Sequence, residues 1–416
     1  MLLYQGLRKK EGLVKSLAKD RIVKKQGREI YRMTQKHFYL DYAATTPLDP
    51  AVLEKMLPYF SEQFGNPSSV HSWGQQAENA LETARETVAS CLSAEASEIV
   101  FTSCGTESDN LALRGVARAQ RSLHGKHHIL TTPVEHHAVS HTAFDLAKVE
   151  GFEVELLPVD STGMVDPDEV ARRIRKDTAI VSVIYANNEI GTINPIAEIG
   201  KICREKGVPF HTDAVQAAAH LRMDVQRDFV DLLSIGAHKF YGPKGVGALY
   251  IRKGIPIQAV QTGGKQENYL RAGTHNVPYI VGLAEALKIA QTEPEKRAQH
   301  FQSMRDSLIH EVLSRIPGSQ LTGHPSRRLP NHASFVFDGV DGNALLMMLD
   351  VQGFACSSGS ACKTGSPQPS EVLLVLGIPA KLALSSLRVT LGRDTTSEAL
   401  SLFVEALERC VAQQRK

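Results

Sequence analysis

Lys239 sits at the tip of a Gly/Pro-rich turn in the run Ser234-Ile235-Gly236-Ala237-His238-Lys239-Phe240-Tyr241-Gly242-Pro243-Lys244-Gly245. An apolar run, Phe229 to Ile235, leads in, and Val246 to Ile251 reads as a strand leading out. A lysine fixed between buried strands suits Schiff-base chemistry, because desolvation disfavours the ammonium and frees the amine. The plain alternative is a surface lysine in a hairpin turn. Two further stretches bear on the choice. Thr102-Ser103-Cys104-Gly105-Thr106-Glu107-Ser108-Asp109-Asn110 leaves a strand, turns through Gly105 and opens a helix. The free N–H groups of such a turn bind anions. Its plain alternative is a capping turn with Thr106 or Ser108 as cap. His211-Thr212-Asp213-Ala214-Val215-Gln216 ends a strand with an acid. A buried Asp there can hold a pyridinium nitrogen protonated, or simply cap a helix. Anion turn, acid and lysine each follow a strand, and together they say far more than any one alone. Neither GxGxxG nor GxxxxGK[ST] occurs, so a Rossmann site and a P-loop are not indicated.

These groups need a scaffold that brings strand ends together. Strand-like runs are Ile99–Thr102, His128–Thr131, Val154–Leu157, Thr178–Tyr185, Val208–Asp213, Val230–Ile235 and Val246–Ile251. Helical runs alternate with them: Glu107–Gln120, His136–Val149, Asp168–Arg175, Ile196–Glu205 and Ala214–Ala219. Upstream, Pro50–Phe60 and Gln75–Cys91 read as helices. The alternation predicts an α/β fold with a mostly parallel, seven-stranded sheet, whose ligands sit at the carboxyl ends of the strands. From Gly282 the texture changes to a helix-rich run, Gly282–Leu313, then Ser334–Phe337, Asn343–Leu349, Ser386–Leu391 and Ser397–Gln413. This reads as a smaller α+β domain. The expected division is a basic extension over 1–36, a large domain over 49–290, and a small domain from 37–48 and 291–416.

The 416 residues are 42% apolar and 22% charged, as in ordinary soluble globular proteins. No apolar run is long enough to span a bilayer, so no membrane partner is expected. Residues 1–36 hold eleven Lys/Arg and three acids, leaving 36 bases against 42 acids beyond them. That acidic body gives no support for nucleic-acid binding. The extension reads as a flexible tail, a mitochondrial transit peptide, or sequence upstream of a start at Met33. The six cysteines form no CxxC pair, suggest no disulfide or zinc framework, and fit a reducing, cytoplasmic setting.

Several longer motifs resemble one family. They are Leu40-Asp41-Tyr42-Ala43-Ala44-Thr45-Thr46-Pro47, Gly65-Asn66-Pro67-Ser68-Ser69, Asn187-Asn188-Glu189-Ile190-Gly191, Arg271-Ala272-Gly273-Thr274 and Ser357-Ser358-Gly359-Ser360-Ala361-Cys362, besides the Lys239 turn. The chain is similar, from about Tyr39 to Arg393, to the cysteine desulfurases, which are class-V aminotransferase-type enzymes of fold type I using pyridoxal 5'-phosphate. The resemblance implies that Lys239 carries the cofactor and moves a proton at the substrate Cα. It implies that Asp213 pairs with the ring nitrogen and Gln216 with the ring hydroxyl. His136 would stack on the ring and serve as acid/base on the substrate thiol. Gly105, Thr106 and His238 would contact the phosphate. Thr274 would reach the phosphate of a neighbouring subunit, which implies a homodimer. Asn66, Asn188 and Arg388 would hold the carboxylate of L-cysteine, with Asn188 also near the cofactor. No metal is implied.

The resemblance makes Cys362 the thiol that takes the sulfur as a persulfide and delivers it to a protein acceptor, as in iron–sulfur cluster assembly or tRNA thiolation. Its loop is rich in small residues, and Lys363 beside it favours the thiolate. Cys356 is given no catalytic role, and Cys91, Cys104, Cys203 and Cys410 read as packing residues. Related activities on the same motifs are selenocysteine lyase and small-amino-acid aminotransferase. A non-catalytic sulfur-relay protein is a further reading, opposed by the intact Lys239, Asp213, His136 and Arg388. Four departures bear on local structure. Gly236 stands where the family has a hydroxyl residue for the phosphate. Lys265 and Tyr269 stand where it has glycine, and Asn268 where it has arginine.

Overall fold

In the computed structural model, residues 37–358 and 368–416 are described. The readings of residues 1–36, and those of Cys362 and Lys363, lie outside them. Strand β1 (Phe38–Tyr39) opens the chain, followed by α1 (Pro50–Met56) and α2 (Pro58–Ser61). The sequence predicts one helix here. Pro58 has no N–H to continue the first, so the chain restarts as a second. Helix α3 (Ser72–Leu92) buries Ala77, Leu81, Ala84 and Val88, one side of a 3.6-residue repeat.

The central unit then alternates strand and helix: β2 (Ile99–Thr102), α4 (Gly105–His124), β3 (His128–Thr131), α5 (His137–Glu150), β4 (Glu153–Leu156), α6 (Pro167–Arg173), β5 (Thr178–Ser182), α7 (Ile196–Glu205), β6 (Phe210–Asp213), β7 (Leu232–Gly236) and β8 (Gly247–Ile251). The seven strands form one sheet in the order β2-β8-β7-β6-β5-β3-β4. Only β8 runs against its neighbours, pairing antiparallel with both β2 and β7. The mostly parallel seven-stranded sheet predicted from the alternation is thus present. Strands β5 and β7 are buried along their whole length, which is why they read as continuous apolar runs. Leu111, Val116, Val139 and Leu146 pack one face, and Leu81, Val88, Ile199 and Leu283 the other.

The predicted helix Ala214–Ala219 is only a short 3-10 turn, Ala217–Ala219. The Asp213 carboxylate accepts from the Val215 N–H two residues on, and the Gln216 amide donates to the distant Ala43 carbonyl, so both side chains are tied to turn and strap partners. The helix-rich run predicted from Gly282 consists of two helices, α8 (Val277–Gln291) and α9 (Pro294–Arg315). Glu293 has a left-handed backbone, φ +48°, and Pro294 starts the second helix.

A second core gathers Leu40, Phe335, Phe337, Phe354, Leu387 and Phe403. It lies among β9 (Ser319–Leu321), β10 (His332–Phe337), α10 (Gly342–Val351), β11 (Phe354–Ala355), β12 (Leu387–Thr390) and α13 (Ser397–Gln414). Between β11 and β12 lie α11 (Glu371–Val375) and α12 (Ala380–Ala383). Strands β12, β10 and β9 form an antiparallel sheet, and β1 pairs parallel with β11. The N-terminal segment therefore runs alongside the C-terminal strands before crossing to the main sheet.

Of the two missing glycines before Arg271, Lys265 keeps an ordinary backbone, φ −83°, and Tyr269 falls in a left-handed run. Glu267, Asn268 and Tyr269 are consecutive left-handed residues, with φ of 48°, 53° and 65°. Glycine takes that backbone without penalty, and other L-residues do not. A buried clamp holds it instead. Glu267 accepts both arms of the Arg85 fork at 2.8 and 2.9 Å, the Phe101 N–H at 2.9 Å, and lies 2.7 Å from the His275 ring. Burial alone would raise the Glu267 carboxyl, but Arg85 and His275 hold it at about 2. Glu267→Ala should cost about 3 kcal/mol, because the largely buried Arg85 keeps only the half-exposed Glu82 and the Ile99 carbonyl. Tyr269→Gly, at a solvent-exposed position, should gain about 1 kcal/mol. Denaturant unfolding of both variants checks this. Equal midpoints for Glu267→Ala and the parent would rule the clamp out.

Candidate active site

A cavity of about 610 Å³ opens at the carboxyl ends of β2, β5, β6 and β7. It is lined by Gly105 and Thr106 after β2, Asp213 and Gln216 after β6, and His238 and Lys239 after β7. His136, Asn188 and Arg388 complete it. Nine of the predicted site residues thus meet in one place, although they span positions 105 to 388. Asn66 and Thr274 are exposed and do not line it. The Asn66 carboxamide accepts from the Ser68 N–H in its own turn.

Each side chain is placed by a local rule. The 3-10 turn Ala237–Lys239 swings Lys239 off the end of β7. Thr46 clamps that turn, since its N–H and its hydroxyl each reach the His238 carbonyl at 2.9 Å. The Lys239 ammonium donates to the Ala43 carbonyl at 2.6 Å and the Ala44 carbonyl at 2.8 Å. Gln216 donates to the same Ala43 oxygen at 2.8 Å. Residues 40–46 therefore act as a strap that holds both groups. Burial, with the Arg388 charge adding to it, lowers the Lys239 ammonium to about 8, against the pull of Asp213 and Asp41. The lysine is not a surface residue in a hairpin.

Helix α4 starts at an extended Cys104, and no side chain caps it. Neither Thr106 nor Ser108 serves as the cap. Glu107, in the first turn, is drawn aside by the Ser103 N–H at 2.7 Å and Arg271 at 2.9 Å. The first N–H groups thus face the cavity without a competing carboxylate. Gly105 lines the mouth of this cradle, and a Cβ there would meet Val215 Cγ2 at 2.6 Å.

Asp213 is buried, with the Val215 N–H at 2.9 Å on one oxygen. Burial, and then the nearby Asp109, raises its carboxyl to about 6. Ligand atoms of Asp109, His136 and Asp213 all lie within 4.8 Å of one another. Asp109 is itself raised to about 7 by burial. A cationic N–H placed at Asp213 would supply the counter-charge that this acidic pair lacks. Burial keeps the His136 ring below its usual value, against the pull of Asp213. His238 falls to about 4 through burial and the Lys239 charge, so it is neutral at neutral pH.

At the opposite wall, Arg388 on β12 donates to the Asn188 carbonyl and to Asp41, each at 2.9 Å. Sequence reasoning did not single out Asp41, Asp109 or Cys104 as site residues. Cys104, read there as packing, lines the cavity, as do Cys356 and Ser357. The signal for Asp41 was its place in the Leu40–Pro47 motif. The signal for Cys104 and Asp109 was their place in the Thr102–Asn110 turn.

The class-V aminotransferase family pattern matches residues 38–403. Cysteine desulfurase IscS of Dictyoglomus turgidum is 50% identical over 381 residues, covering 92% of this chain and 96% of that protein. Its namesake in Methanosarcina thermophila is 49% identical over 380 residues, covering 91% and 93%. Among solved structures, a NifS-like protein superposes with a TM-score of 0.84 at 37% identity, over 91% of this chain and 100% of that one. SspA in complex with cysteine superposes with a TM-score of 0.74 at 35% identity, over 85% and 98%. An α/β chain with a lysine, an acid and an uncapped helix start converging at its strand ends, and with relatives this near over nearly its whole length, belongs to the cysteine desulfurases of the class-V aminotransferase family.

Proposed function

We propose that this cysteine desulfurase uses resident pyridoxal phosphate to take sulfur from L-cysteine, releasing L-alanine and leaving a persulfide on Cys362. The observation that carries the reading is Lys239, its ammonium lowered to about 8, lining one cavity with buried Asp213 and Arg388. The residues fit the cofactor. Gly105 lets the turn pack against Val215 where a Cβ would clash, α4 starts with no side-chain cap, and Asp213 lacks a positive partner. Gly105, Thr106 and His238 would hold its phosphate, Asp213 and Gln216 its ring, and Lys239 its carbonyl carbon. When bound, pyridoxal phosphate accepts the electron pair left at Cα.

The chain's own groups do the rest. Arg388 and Asn188 would orient the substrate carboxylate, and Lys239 Nζ would take the Cα proton. His136, neutral and open to the cavity, would handle the proton of the substrate thiol. The Cys362 thiolate would attack that sulfur. The carbon–sulfur bond breaks, its electron pair stays with carbon, and a proton completes the methyl of alanine. Turnover of L-cysteine with a thiol reductant tests this, by measuring alanine and sulfide together. Equal amounts support it. A yellow protein that makes no alanine points to selenocysteine. A protein that takes up no pyridoxal phosphate on reconstitution overturns the reading.

Gly236 offers a quantitative check. A Cβ there would lie 3.4 Å from the Gly105 nitrogen, in ordinary contact. Gly236→Ser should fit and add one charge-assisted hydrogen bond to the phosphate, on the order of 1.5–3 kcal/mol at most. The dissociation constant of the cofactor should fall about tenfold, read by equilibrium dialysis. An unchanged constant would mean that the hydroxyl does not face the phosphate.

Assembly and location belong to the same proposal. Leu53, Leu57, Phe60, Phe64, Val70 and Trp73 are 43–91% exposed. So dense an apolar run favours burial by a second copy, and a homodimer would let Thr274 serve the partner's phosphate. Light scattering at several concentrations reads the oligomeric state. The two cores favour a large lobe over 49–290 and a small lobe from 37–48 and 291–416. Among the described residues no helix is long and apolar enough to cross a membrane. The five cysteines among the described residues are free, which fits a reducing, cytoplasmic setting.

A further inference from the structure

Arg388 already has a carboxylate partner. Its Nη2 donates to Asp41 Oδ1 at 2.9 Å, and its Nη1 to the Asn188 carbonyl at 2.9 Å. Its Nε is buried with no hydrogen-bond partner among the described residues. The second oxygen of Asp41 accepts the Ser357 hydroxyl at 2.6 Å. Both ionic side chains are largely buried, 7% and 15% exposed, so water screens the pair only weakly. A guanidinium paired with one carboxylate attracts a second less strongly, and part of its fork is already in use. Asp41 also sits on the strap whose Ala43 and Ala44 carbonyls hold Lys239.

We propose that Asp41 is a resident competitor that sets the affinity of Arg388 for the substrate carboxylate. It occupies the guanidinium when no amino acid is bound, and the incoming carboxylate must share or displace it. Asp41 touches no reacting atom and is a positioning residue. The inference rests on the reading of Arg388 as the carboxylate anchor.

The test compares two competitive inhibitors on the cofactor-loaded enzyme. L-Alanine carries the carboxylate, and cysteamine lacks it. Asp41→Asn keeps the shape and removes the charge. The inhibition constant of L-alanine should fall about three- to tenfold, with the KM for cysteine, while that of cysteamine stays within about twofold. Ser357→Ala should act in the opposite sense. It strips one donor from Asp41, which then grips Arg388 harder, so the constant for L-alanine should rise. If Asp41→Asn does not fold, the Ser357→Ala result decides alone. Unmoved L-alanine inhibition, or an equal shift for both inhibitors, overturns the proposal. Arg388→Ala separates the two levels. If it fails to weaken L-alanine, the anchor reading itself falls. If it does weaken L-alanine but Asp41→Asn changes nothing, only the role of Asp41 falls.

Discussion

Lys239→Ala is expected to lower the turnover of L-cysteine by on the order of 10³-fold, within the usual worth of a positioned proton carrier. The same variant should release its yellow colour on dialysis, and borohydride should fix cofactor onto the parent only. Both follow from one physical cause. Burial and the Arg388 charge bring the Lys239 ammonium down to about 8. At pH 7 about one amine in ten is then free, against fewer than about one in a thousand for an ordinary lysine. Cofactor uptake by the stripped protein should rise with pH through about 8, and level off well below the usual lysine range. The sign for stability follows. Between about 8 and 10.5 the unfolded chain holds a proton that the folded chain has lost. This group therefore makes the stripped protein more stable as pH rises across that window. A variant within tenfold of the parent turnover would exclude Lys239 from the chemistry. Uptake that rises only above 10 would exclude its depressed basicity.

Cys362→Ala is expected to abolish alanine and sulfide formation together while the cofactor stays bound. Removing an enzymatic nucleophile commonly costs on the order of 10³-fold or more. The informative partner is Cys356→Ser. Cys356 also lines the cavity, but burial, followed by the charge of Asp41, pushes its thiol far up. A thiol that stays protonated is a poor nucleophile, so it cannot stand in. Cys356→Ser should therefore keep most of the turnover. Mass spectrometry of the alkylated protein after one turnover should place one extra sulfur on Cys362. Extra sulfur on Cys356, or full activity in Cys362→Ala, would reassign the acceptor.

Much of this was legible along the chain. Strands β2 and β3 and helix α7 begin and end where periodicity put them, because their apolar runs are bounded by polar or turn residues. The Lys239 turn, the Gly105 turn and Asp213 each announce themselves locally, since each needs a strand end followed by small or capping residues. The alternation of strand and helix determined the sheet, and the sheet determined that these groups would meet at one edge.

Other features were beyond local reading. The helix expected over Ala214–Ala219 gave way because Asp213 and Gln216 spend their bonds on distant or capping partners. The break before Pro294 turned on one left-handed residue. Nothing in the sequence links Glu267 to Arg85, some 180 positions earlier, which closes on it. Asp41 and Arg388 stand 347 positions apart, and no pattern links them. The sequence by itself determined which groups could do chemistry and on which sheet they would sit. Only the tertiary structure decided their charge states and competitors, because burial and through-space pairing depend on neighbours that the chain brings together from opposite ends.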